Sequence, residues 1–260
     1  MSSSPDDPWQ NLRAFTPARI ALGRAGGSLP TREVLRFSQA HAQARDAVHA
    51  RVEWEALAKA LPPELGPPLH VESRAVERAL YLRRPDFGRQ LSAASAQRLV
   101  QARPAAGADV ALVIGDGLSA AAVNANAADL VKALVPRLQA LGLTSAPVVL
   151  ARGARVALGD DIGARLGVRA VAMLIGERPG LSSPDSLGVY LTLGPRAGCT
   201  DADRNCISNV RAEGLGTEAA AFKITWLLRE ALRRGLSGVA LKDESDTLLE
   251  AGAPPPLLTQ

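Results

Sequence analysis

The chain has 260 residues, 47% of them hydrophobic and 22% charged, which builds a globular core in one large domain or two small ones and excludes a mostly disordered chain. Its net charge of +4 is concentrated in residues 71–105, which hold seven basic and three acidic side chains. With so local an excess, and four Phe, three Trp and two Tyr scattered along the chain, there is no base-stacking platform and nucleic acid is not expected as a partner.

Residues 1–15 are polar and irregular, with Pro5 and Pro8 and no apolar run of the signal-peptide kind. They are expected to be mobile. The next segment, TPARIALGRAGGSLPT, is punctuated by Gly and Pro and reads as a loop bearing Arg19 and Arg24. Residues 31–60 contain no Gly or Pro and predict one long helix. Thr31 is its expected N-cap, and Val34, Phe37, Val48, Val52 and Leu57 lie near one stripe. Prolines 62, 63, 67 and 68 end it. Residues 69–83 read as strand or loop, leading through YLRRPDFGRQL into a short helix that ends near residue 103.

The period changes after Asp109. VALVIG predicts a buried strand, GDGLSA a turn, and the following residues a helix to about Leu141. PVVLA (147–151) is a second strand, DDIGARLG a short helix, VRAVAMLIG (168–176) a third strand and VYLTL (189–193) a fourth. A final amphipathic helix runs from Thr217, its expected cap, to Gly235. Strands alternating with helices predict an α/β fold with a parallel sheet. No apolar run approaches the roughly 18–20 residues of a membrane helix.

Few residues carry chemistry outright. Gly115 to Ala120 match a glycine-rich turn that could bring backbone amides to a phosphate. A dinucleotide site would also need an acid after the second strand, and PVVLARG offers none. A strand-to-helix turn needs glycine in any case, so plain turn geometry and a nucleotide-binding oxidoreductase subunit both stay open, the first being commoner. GERPG, with Glu177, lies where ligands of open α/β sheets bind, but a solvated turn reads the same way. DRNCISN, residues 203–209, reads as a polar loop that either lines a pocket or forms Asx turns. Cys199 and Cys206 are the only cysteines. They form no disulfide framework, fit a reducing cytoplasm, and have poor metal spacing. His41, His49 and His70 are the only histidines, so the α/β region holds neither a His-dependent triad nor a histidine metal ligand.

Taken together, LRFSQAHAQARDAV, YLRRPDFGRQL, VIGDGLSA, LIGERPGL and DRNCISN occur in this order. The set resembles the small (light) subunit of ethanolamine ammonia-lyase over roughly residues 16–236. That resemblance implies an adenosylcobalamin enzyme of two kinds of subunit, converting ethanolamine to acetaldehyde and ammonia by radical chemistry that the cofactor supplies. The large subunit would be a TIM barrel holding the amino alcohol, within a higher hetero-oligomer. The family's cobalamin contacts fall here on Val156, Glu177 and Cys206; no catalytic residue and no protein metal ligand is implied. Since no histidine follows residue 70, the cofactor's own dimethylbenzimidazole is expected to stay on cobalt. The expected organisation is a mobile N-terminus (1–15), a mainly helical region touching the large subunit (16–105), a Rossmann-like cobalamin-binding domain (106–238) and a disordered tail (239–260). Family members packaged in a bacterial microcompartment carry a long N-terminal extension. Here the similar region begins within about the first 20 residues, so a cytoplasmic location is expected ahead of a microcompartment.

Overall fold

A computed structural model describes residues 9–16, 18–75 and 77–246. The expectations for residues 1–8 and 247–260 lie outside that range. Within it, Gln10–Ala14 form a short 3-10 turn, and Leu241 and Ser245 are buried.

Six strands form one sheet: β1 (Leu69–Glu72), β2 (Val110–Gly115), β3 (Val149–Arg152), β4 (Ala170–Gly176), β5 (Leu187–Leu193) and β6 (Arg204–Val210). Their order is β1-β3-β2-β4-β5-β6. The first four are mutually parallel, while β5 is antiparallel to both β4 and β6. The fold is α/β as expected, but the sheet is mixed rather than parallel. Connection length explains this. A parallel return needs a crossover of a dozen or more residues, usually a helix. Residues 177–186 between β4 and β5 contain no helix, so β5 returns alongside β4.

The helices are α1 (Thr31–His49), α2 (Trp54–Ala60), α3 (Arg78–Arg83), α4 (Ala93–Gln101), α5 (Ala120–Ala140), α6 (Leu158–Leu166) and α7 (Thr217–Arg234). The single helix predicted over 31–60 is therefore two, separated by extended backbone at Ala50. Thr31 and Thr217 are first helical residues rather than caps; Pro30 and Gly216 precede them and supply no side-chain bond. Nor does the predicted stripe hold together. Val52 and Leu57 are buried, but Val34 and Phe37 on α1 are exposed, and α1 buries Glu33, Ala40 and Ala47 instead. Ser119 does cap α5, accepting from the Ala122 amide at 3.1 Å. Gly235 ends α7 with φ +71, a left-handed conformation that suits glycine.

β2 and β4 are buried along their whole lengths, as strands covered on both faces must be. On one face, α5 and α7 pack against Leu112, Ile114, Leu174, Val189, Leu191 and Ile207. On the other, α4 and α6 cover Val113, Val149, Val171 and Met173. This second layer stops at β4. Of β5 and β6 only Tyr190 joins it, and only partly. The outer third of that sheet face is thus open, and Cys206 and Ser208 are exposed on it. Among the described residues no helix is long and apolar enough to cross a membrane.

Candidate functional site at the open sheet edge

The chain leaves β2 to build β3 on one side, then returns to build β4 on the other. Where a parallel sheet reverses in this way, the loops after neighbouring strands part and leave a crevice. Here it is a cavity of about 360 Å³ lined by Gly117, Leu118, Val156, Ile175, Glu177 and Tyr190, among others. Gly117 adopts φ +58, and a Cβ there would stand 2.2 Å from the Gly176 carbonyl oxygen. Only glycine lets the two loops meet this closely.

The glycine-rich turn is poorly placed to take a phosphate. The Leu118 amide already donates to the Gly176 carbonyl at 2.9 Å, and the Gly117 amide to Asp116 Oδ1 at 3.0 Å. Asp116 also places a carboxylate at the same turn, where an anion would be repelled. Its other acceptor sites take the amides of Gly153 (2.9 Å) and Ala154 (2.8 Å). So Asp116 clamps the loop after β2 to the loop after β3. Burial pushes its carboxyl up from the usual range, and those two amides oppose the shift.

Glu177 directly follows β4. Its backbone amide donates to the Ser186 carbonyl at 3.0 Å. Oε2 accepts from the Ser186 hydroxyl and, at 3.3 Å, from the Asn209 amide. Asn209 has φ +61, a left-handed conformation that asparagine tolerates better than most residues. Oε1 makes no hydrogen bond among the described residues and lies against Gly188, where a Cβ would stand 2.8 Å away. Gly188 therefore gives the carboxylate its room.

Val156 sits in the loop between β3 and α6, half-buried against the second apolar layer. Cys206 is not in a loop, as the sequence suggested, but in β6, paired with Tyr190 of β5. Its sulfur lies 3.3 Å from the Ser208 hydroxyl. The Tyr190 phenol is shifted up, first by burial and then by its neighbours Cys206 and Glu177. Tyr190 lines the cavity together with Val156 and Glu177 and pairs with Cys206. The three residues singled out in the sequence thus meet around one tyrosine on the open face.

Three further residues shape this edge, and the sequence assigned none of them a role in this site. Tyr81 is fully buried and donates to the Ala154 carbonyl at 3.0 Å. Arg155 stacks on one side of its ring at 4.2 Å and Arg78 lies 4.8 Å from the same centroid. Arg78 also donates to the carbonyls of Val48 and Gly117, both at 2.7 Å. It ties the end of α1 to the loop after β2. No group of three His, Cys, Asp or Glu able to hold a metal ion occurs among the described residues.

Comparisons with known proteins bear out the resemblance carried by the motif order. The family model of the ethanolamine ammonia-lyase light chain (EutC) matches residues 6–242. An ethanolamine ammonia-lyase small subunit from Ralstonia nicotianae is 56% identical over 250 residues, 95% of this chain and 92% of its own. One from Rhodopseudomonas palustris is 57% identical over 243 residues, 93% of this chain and 92% of its own. One from Azotobacter vinelandii is 54% identical over 254 residues, 97% and 94% of the two chains. With the family model spanning nearly all of the described fold and relatives this similar over almost their whole lengths, the chain belongs to the ethanolamine ammonia-lyase small-subunit family.

Proposed function

We propose that this chain, assembled with a TIM-barrel large subunit that carries the amino alcohol, holds adenosylcobalamin on the open face beside β5 and β6. Adenosylcobalamin, when bound, supplies the radical chemistry that converts ethanolamine to acetaldehyde and ammonia. This chain's residues bind, orient and shield. Glu177 presents Oε1 as an acceptor for an amide N–H of the corrin rim. Val156 offers an apolar contact, and Cys206 a small, weakly polar one. The chemistry of the site fits such a ligand. A corrin is broad and apolar with neutral amides at its rim, and an uncovered sheet face with one unsatisfied carboxylate oxygen complements it.

The observation that carries this reading is the meeting of Val156, Glu177 and Cys206 around Tyr190 at the sheet's reversal point. Two surface features support residues 16–105 as the large-subunit contact: the exposed Val34, Leu35 and Phe37 on α1 and the basic stretch 71–105.

Cobalamin titration of the assembled complex tests the site. A charge-assisted hydrogen bond contributes about 1.5–3 kcal/mol and a neutral one about 0.5–1.5 kcal/mol, so Glu177→Ala should raise the dissociation constant roughly 3- to 150-fold. Glu177→Gln, which keeps an acceptor oxygen, should do less. Because the carboxylate also holds Ser186 and Asn209, thermal melting of the variant accompanies the titration. A well-folded, assembled Glu177→Ala complex that binds cobalamin normally would remove Glu177 from the site.

A further inference from the structure

A second cavity, of about 490 Å³, adjoins the first and shares Arg155, Val156 and Tyr190 with it. Three arginines line it: Arg89, Arg155 and Arg204. Arg204 is buried and neutralised, bonded to Asp160 and, at 2.9 Å, to Asp201. Asp201 is the cavity's only acidic lining residue, and because Arg204 serves both it and Asp160, the three together carry one net negative charge. Arg89 and Arg155 have no carboxylate partner among the described residues. Set against that residual negative charge, Arg89 and Arg155 leave the lining with one net positive charge.

Arg155 is fixed in place by Tyr81. Its guanidinium stacks on Tyr81 at 4.2 Å, and Nη2 donates to the Tyr81 carbonyl at 3.2 Å. Its Nε is buried with no acceptor. Arg89 arrives because the loop carrying it docks on the loop after β3. The Arg155 amide donates to the Gly88 carbonyl at 2.8 Å, and a Cβ on Gly88 would stand 2.8 Å from Arg155 Cγ.

We propose that this arginine-lined cavity takes the phosphodiester of cobalamin's nucleotide loop. The inference rests on the cofactor reading above and assigns one subsite within it. The amides of the corrin rim are neutral; the phosphodiester is the anionic group at the cofactor's periphery. A planar guanidinium pairs with phosphate oxygens through two parallel N–H bonds, and a partly buried cation without a counter-ion gains most from such an anion.

The test compares two corrinoids on the complex with the large subunit: hydroxocobalamin, and diaquocobinamide, which lacks the phosphate, ribose and base. Binding is read from the corrin absorbance. Arg155→Met should raise the cobalamin dissociation constant roughly 10- to 100-fold and leave cobinamide binding unchanged. Arg89→Met, at an exposed side chain, should give a smaller loss with the same selectivity. It decides the matter if melting shows that Arg155→Met has disturbed the fold through Tyr81. Equal losses for both corrinoids, or none for either, would overturn the subsite. So would a wild-type complex that holds inorganic phosphate here while binding cobalamin at full affinity, since the site would then serve a free anion. A wild-type complex that binds neither corrinoid would instead overturn the cofactor reading, and the subsite with it.

Discussion

At the residue scale, the site depends on a few polar atoms that fix loops rather than on reactive groups. Asp116 is the clearest case. Three amides from two loops converge on one buried carboxylate. Asp116→Asn would turn one acceptor oxygen into an NH2 facing an N–H donor. That change should destabilise the folded chain by about 1–3 kcal/mol, the cost of leaving a buried donor unpaired. Urea unfolding would check it, and an unchanged midpoint would mean that the clamp contributes little. The role of Asp116 was not legible in GDGLSA, because two of its three partners lie more than 35 residues away. The roles of Tyr81, Arg78 and Arg155 at this edge were not legible for the same reason: they act on carbonyls distant in sequence, and spacing rules see only near neighbours. Glu177, Val156 and Cys206 were named through motif resemblance. Even without the resemblance, position at a strand end points to Glu177 and the polar run DRNCISN to the neighbourhood of Cys206; only Val156 rests on the motif match alone.

Element by element, buried strands and long helices were readable, since a run such as VALVIG and the stretch closed by Gly235 have few other uses. Edge elements were not. β6 reads as polar because only Arg204, Ile207 and Val210 are buried along it, so its exposed positions mask the strand period. α1 reads as amphipathic, yet it buries only small apolar residues, Ala40 and Ala47, and leaves Val34, Leu35 and Phe37 exposed. These three are already partly covered, so completing their burial on a partner would contribute about 1–2 kcal/mol each, which suits an element at a subunit contact. The neighbouring basic stretch is uneven in charge. Arg84 is paired with Asp86 at 2.7 Å, while Arg83 is exposed and makes no ion pair among the described residues. Arg83→Glu should therefore weaken assembly with the large subunit more than Arg84→Glu does, and more at low salt, because rim charges act mainly on association rate. Sedimentation velocity at two salt concentrations would measure this. Identical assembly of both variants would return the stretch to a solvated surface.

At the scale of the whole molecule, one topological fact organises the rest. The parallel half of the sheet is covered on both faces and creates the crevice; the antiparallel half is covered on one face and leaves the other open. The α/β class and the crevice follow from strand–helix alternation, but the open face does not. It depends on short links after β4 and β5 that leave no helix to cover the outer strands, and loop lengths could not be read before β6 was recognised. A fold that supplies a shelf, with no self-sufficient catalytic constellation among the described residues, is suited to the proposed role of holding a cofactor for a partner. The most direct measurement of that claim is ethanolamine deamination with adenosylcobalamin, by this chain alone, by a family large subunit alone, and by the two together. Acetaldehyde and ammonia should form only when both chains are present. Turnover by this chain alone, or by the large subunit at an undiminished rate without it, would contradict the account.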